Sequence, residues 1–129
     1  MITPSFVSSS TGGPDLTGQI TQLSRTTRKG KDRLSFTLNV ENIGTQPVTR
    51  DVTVRFYLSA DAILDGGDTL LVERTVRVTN LSAGAALLIK TTATVVSPSR
   101  GKFVIGQIDP ANFIAETDEG NNVAAHQIP

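Results

Sequence analysis

Oxygen-bearing side chains gather most densely near the C-terminal end, where Asp109, Glu116, Asp118, Glu119, Asn121 and Asn122 fall within residues 107–122. Ca²⁺ takes about six to eight oxygen ligands, so this stretch holds the donors for a calcium site. Its spacing is not that of an EF-hand loop, which requires ligands at alternate positions and a glycine at the sixth. The preferred reading is that Asp109 and the two asparagines satisfy backbone donors across a long turn, with Glu116 paired to a neighbouring base. A second group, Asp61, Asp65 and Asp68, surrounds Gly66 and Gly67 and reads in the same way, as aspartates closing a turn. No metal ligand or cofactor is assigned, and calcium is the alternative.

His126 is the single histidine. A hydrolytic triad needs a base within reach of a nucleophile and an acid behind it. Nothing in the sequence around His126 suggests such a set, so no catalytic residue is assigned. Arg25, Arg28, Lys29, Lys31 and Arg33 crowd one segment and offer contacts to phosphate or acidic glycan. No aromatic residue is interleaved for base stacking, and twelve basic residues are balanced by twelve acidic ones. The expectation is a solvated turn over residues 24–32 and no nucleic-acid partner. Residues 80–82 fit the N-glycosylation pattern, which a three-residue match meets by chance. With no cysteine, disulfides, thiolate metal sites and cysteine nucleophiles are excluded.

The elements that must position these groups are strands. In residues 33–41, Leu34, Phe36, Leu38 and Val40 alternate with polar residues, the period-2 mark of a strand over a core. Val52, Val54, Phe56 and Leu58 repeat it, as do Leu87, Ile89, Thr91, Ala93 and Val95. Residues 16–23 read as an edge strand, 123–128 as a short closing strand, and 102–108 as a strand apolar on both faces. Residues 69–80 are too long for one average strand of about 5–6 residues, so two short strands or one bent strand is expected. Asn42, with Gly44 at positive φ, ends the second strand. No stretch carries a capped helical period, and the longest apolar run, residues 85–89, is far below the ~20 that span a bilayer.

Turn signals every 8–12 residues or so thus indicate an all-β, antiparallel sandwich of seven or eight strands with no significant helix. Its 129 residues fit one domain over residues 15–129, after a flexible lead-in or linker over 1–14. Strands run from pole to pole, so three between the two acidic loops set them at opposite poles, and four bring them together. Residues 1–10 lack the basic start and apolar centre of a secretory signal, leaving either an intracellular protein or a piece of a longer exported chain.

Several stretches in register resemble the CARDB family, the cell-adhesion-related domain found in bacteria. They are Pro14-Asp15-Leu16, Val40 to Gly44, Phe56 to Ser59 with Asp61, Asp68 to Leu71, Leu81 to Gly84, and Asp109-Pro110 with Glu116 to Asn122. The resemblance spans residues 14–128 and implies an immunoglobulin-like fold in a non-enzymatic module of an exported bacterial or archaeal protein. It carries no catalytic residues. It also favours the exported piece over the intracellular protein.

The expected function is an extracellular or cell-surface adhesion, spacer or interaction module. Its expected partners are neighbouring domains and a protein or glycan ligand, without membrane insertion. The alternatives are a calcium-dependent binding or stabilising module and a hydrolase-associated accessory domain. If the third and sixth strands are neighbours, as in immunoglobulin-like sandwiches, Arg55, Tyr57, Phe103 and Ile105 line one outer face and form a binding patch. The competing arrangement turns Phe103 and Ile105 into the core, and of the two it is preferred.

Overall fold

The structure, a computed structural model, describes residues 13–110, 114 and 122–129. Residues 1–12 of the expected lead-in, and Glu116, Asp118, Glu119 and Asn121, lie outside the described residues. The strands are β1 (Leu16–Arg28), β2 (Lys31–Asn42), β3 (Val52–Ser59), β4 (Thr69–Val76), β5 (Ala86–Val96), β6 (Phe103–Ile108) and β7 (Val123–Gln127). They form two antiparallel sheets, β1-β2-β5 and β4-β3-β6-β7. The stretch over residues 69–80 is one strand, β4, followed by a single bridge from Leu81 to Val48.

Alternation along β2 turns Leu34, Phe36, Leu38 and Val40 inward, where they meet Val52, Val54 and Phe56 of β3 and Val104 and Ile108 of β6. Phe36 and Phe56 touch edge to face across the sheets, with ring centroids 5.0 Å apart. The inward row does not stop with the apolar residues. Asp32 and Asn42, of the same parity, close its two ends, and both are fully buried.

The basic segment is not a turn over residues 24–32. Residues 24–28 continue β1, paired with β2 down to Arg28 and Lys31. Only Lys29 and Gly30 turn, at φ of 53° and 75°. Positive φ at both central residues is what a two-residue type I′ hairpin requires, and its twist suits the flanking strands better than that of a type I or II turn.

At the opposite end of β2, Asn42 uses its whole hydrogen-bonding capacity. Its Nδ2 donates to the carbonyls of Gln46 (2.8 Å) and Leu81 (3.0 Å), and its Oδ1 accepts from the N–H groups of Asp15 (3.1 Å) and Gly44 (3.0 Å). One side chain thereby ties the entry of β1, the turn after β2 and the connection before β5. Gly44 serves close approach rather than positive φ. A Cβ there would lie 2.6 Å from the Asp15 nitrogen and 2.8 Å from the Pro14 carbonyl carbon. Gly13 and Pro14 therefore belong to the fold, with the Gly13 carbonyl accepting from Thr45 N–H at 3.0 Å.

Asn42→Ala leaves two N–H groups and two carbonyls without their buried partner. It is expected to cost about 3 kcal/mol in denaturant unfolding, from 1–3 kcal/mol or so per unsatisfied group with some water entry. Gly44→Ala is expected to destabilise comparably, since backbone rather than a flexible side chain must yield; a loss under about 0.5 kcal/mol in either variant would contradict the pinning role.

Candidate functional site

On β6, Val104, Gly106 and Ile108 face the core. A Cβ on Gly106 would sit 3.2 Å from Phe56 Cε1. Phe103, Ile105 and Gln107 therefore face outward, against the preferred expectation that Phe103 and Ile105 turn inward. β3 and β6 are neighbours, with Tyr57 opposite Ile105 and Arg55 opposite Gln107. Arg55, Tyr57, Phe103 and Ile105 thus share one outer face of the four-stranded sheet.

What that face presents differs from the sequence picture in two respects. Ile105 is completely buried, in the middle of a row flanked across the sheet by Tyr57 and Ala125, so it is no contact surface. Arg55 is not a free charge either. Its Nε donates to Glu73 Oε2 at 2.6 Å, a cross-strand pair in which both side chains are nearly half exposed. The Glu73 carboxylate first, and Tyr57 second, raise the Arg55 pKa above its ordinary value. A partner would meet Arg55, Tyr57 and Phe103, each half-buried.

The aspartates of residues 61–68 close turns. Asp61 Oδ1 accepts from Ile63 N–H (3.1 Å) and Ser59 Oγ–H (3.2 Å), Asp65 Oδ1 from Gly67 N–H (3.0 Å), and Asp68 Oδ2 from Asp65 N–H (2.9 Å). Asp109, buried at a φ of 51°, accepts from Ile114 N–H at 2.8 Å and donates its own N–H to Thr53 at 2.7 Å. Since residues 61–68 follow β3 and Asp109 lies beside its start, three strands separate the loops and they occupy opposite poles. Among the described residues, no three acidic or histidine side chains converge as metal ligands. His126 is exposed on β7, its Nδ1 2.8 Å from the Gln127 carbonyl oxygen.

The polar cluster that composition hid is built on Asp32. Its Oδ2 accepts from Ser99 N–H (2.8 Å) and Ser99 Oγ–H (2.6 Å), and its Oδ1 accepts from Thr27 Oγ–H (2.6 Å). Arg25 Nη1 lies 3.8 Å from the same Oδ1, and Arg25 Nε donates to the Pro129 carbonyl at 2.8 Å. The carboxylate joins the β1–β2 hairpin to the loop between β5 and β6, while Arg25 adds Pro129, just past β7. Ser99 is itself fully buried, so this aspartate and serine are a fastening, without the access a nucleophile needs.

These sandwich layers and pole fastenings define an immunoglobulin-like domain. The CARDB family model matches residues 13–126, and the chain belongs to that family. A crystal structure of a CARDB domain from Pyrococcus furiosus in complex with di-metal ions is 21% identical, covering 90% of this chain and 94% of that one, with a TM-score of 0.62. The solution structure of that domain is 22% identical over 91% and 96%, with a TM-score of 0.60. A β-glucosidase from Kluyveromyces marxianus in complex with glucose is 12% identical, with a TM-score of 0.51 over 88% of this chain but 14% of that enzyme. Likenesses this distant establish the fold. No curated protein sequence matches the chain.

The Ser99 hydroxyl, then the Thr27 hydroxyl, hold Asp32 well below the usual carboxylate range, outweighing burial, which acts the other way. With the folded pKa depressed, the contribution of Asp32 to stability is fully present above the unfolded value of about 3.9 and is lost as pH falls below it. Asp32→Asn is therefore expected to lower Tm at pH 7 and to flatten the acid limb of the stability curve below about pH 4. Parallel Tm–pH curves for the two proteins would contradict this.

Proposed function

We propose that the domain is a non-catalytic, exported spacer and adhesion module that holds neighbouring domains apart. One observation carries the reading. β1 leaves the pole where Gly13 docks, and the seven described strands bring the chain to the opposite pole, where Ile128 pairs with Lys102. Pulling on both ends therefore loads the sandwich lengthwise. Each pole carries its own fastening, Asn42 at the entry and Asp32 with Arg25 at the exit. Membership of the CARDB family supports the reading.

Thirteen residues of β1 span roughly 40 Å at about 3.3 Å per residue. A chain of two, three and four linked copies should then lengthen by about 40 Å per copy in small-angle X-ray scattering. Copies that fold back side by side would defeat the spacer reading. Export has its own test: protease added to intact cells of the source organism should cleave the protein, and full protection would place it inside.

A second reading, calcium dependence, is favoured by the di-metal ions of the Pyrococcus furiosus domain. The described residues fit it poorly, because Asp61, Asp65 and Asp68 already bond their own turn. Calcium well above Kd should stabilise a calcium module by a few kcal/mol, roughly 3 at 100-fold excess. For the spacer without calcium, chelator and calcium are expected to leave Tm unchanged.

A further inference from the structure

The two long sides of the sandwich are unlike. β1 packs along β7 and closes one side, whereas β4 and β5, the outermost strands of the two sheets on the other, barely touch. Two adjoining clefts open there. One of about 390 Å³ is floored by Leu58, Leu71 and Val95 and flanked by Lys31 and Lys102. Next along the strands, one of about 270 Å³ carries Arg74 and Lys90. In a chain of zero net charge, four cations and no carboxylate line the two clefts, and none of the four is in an ion pair among the described residues.

The backbone of β5 is equally one-sided. The Ala85 carbonyl and Ser97 N–H, of odd number, bond toward β2, while the Lys90 carbonyl is reached from outside by Arg74 Nη1 at 2.8 Å. Backbone groups alternate in direction, so those of Thr92, Thr94 and Val96 point into the open cleft. Among the described residues no strand takes them up.

The geometry points to a strand-accepting site: an extended acidic segment of a partner protein pairs with residues 92–96 of β5, its apolar side chains over Leu58 and Leu71 and its carboxylates toward Lys31 and Lys102. Unpaired main-chain groups supply affinity and the pocket chemistry supplies selectivity, the division of labour in strand addition. The cations select against basic segments. The cleft has no aromatic side chain on which a sugar ring would stack, which favours polypeptide over glycan. This site lies on a different side from Arg55 and Tyr57, and goes beyond the spacer reading without depending on it.

The probe is a blocked octapeptide alternating valine and glutamate, titrated into the domain and followed by NMR and amide exchange. Exchange at Thr92, Thr94 and Val96 should slow at least tenfold on saturation. Thr91, Ala93 and Val95, already bonded to β2, should not change. A peptide with lysine for glutamate, and one N-methylated at alternate amides, should each bind at least tenfold more weakly. Lys31→Glu with Lys102→Glu should do the same, in a protein whose circular dichroism is unchanged. Equal binding of the N-methylated peptide would overturn the strand pairing, as would perturbations centred on Arg55 and Tyr57. Protection of the same amides by self-association without peptide would overturn the choice of partner.

Discussion

One row of six side chains, Asp32, Leu34, Phe36, Leu38, Val40 and Asn42, runs the length of β2 on its inner face, and the rest of the domain is arranged to satisfy it. The middle four are apolar and need only volume, which β3 and β6 provide. The end pair are polar and buried, and a buried polar group destabilises unless its partners are in place. Asn42 therefore dictates where Asp15, Gly44, Gln46 and Leu81 lie, and Asp32 dictates where Thr27 and Ser99 lie. The centre supplies cohesion and the ends supply uniqueness. A sliding register of one residue would expose the apolar row and bury Arg33 and Glu41 in its place.

The same row explains how an immunoglobulin-like sandwich stands without a disulfide and without tryptophan. Antibody domains staple their sheets through a Cys-Trp-Cys core. Here Phe36 and Phe56 meet at the centre, in the edge-to-face arrangement worth about 0.5–1.5 kcal/mol beyond the area they bury. Gly106 makes room for the Phe56 ring, and Gly18 for Ile108 and Leu38 beside it. A Cβ on Gly18 would come within 2.8 Å of Ile108 Cδ1 and one on Gly106 within 3.2 Å of Phe56 Cε1. A chain of this size buries roughly two-thirds of its unfolded surface, so the core has little need of a covalent link.

Period-2 alternation made most of the fold legible, because it reports burial directly: β3 and the inner faces of β2 and β5 follow from it. The same parity, extended by one step at each end of the row, would have found Asp32 and Asn42 as inward-facing. Composition concealed Asp32, which stands among five basic residues and reads there as part of a solvated turn. Its partner Ser99 is 67 residues away, and no local pattern announces so distant a contact. The β1–β2 hairpin escapes sequence patterning for a related reason. A Lys29-Gly30 turn is only two residues long, and the polar strand around it is exposed, so neither periodicity nor loop composition marks it. Ile105 shows the limit from the other side, since its neighbour Gly106 faces the core and a strand apolar on both faces has no parity to read.

The open side follows from where β4 pairs. Arg55 with Glu73, and Thr53 with Thr75 at 3.0 Å between hydroxyls, hold β4 to β3, so among the described residues no strand covers the outer edge of β5. An unpaired edge of eleven residues invites association with other chains, and native proteins blunt such edges with charge. Arg74 does this from an unusual position. It lies on the inward side of β4, opposite Val54, and its guanidinium crosses the gap to bond the Lys90 carbonyl and the Thr91 hydroxyl. It therefore guards the middle of the edge and leaves residues 92–96 uncapped, where Lys31 and Lys102 stand beside an apolar floor. Protection of this edge is local, since one guanidinium covers its middle and the last residues of β5 turn their main-chain groups to the cleft.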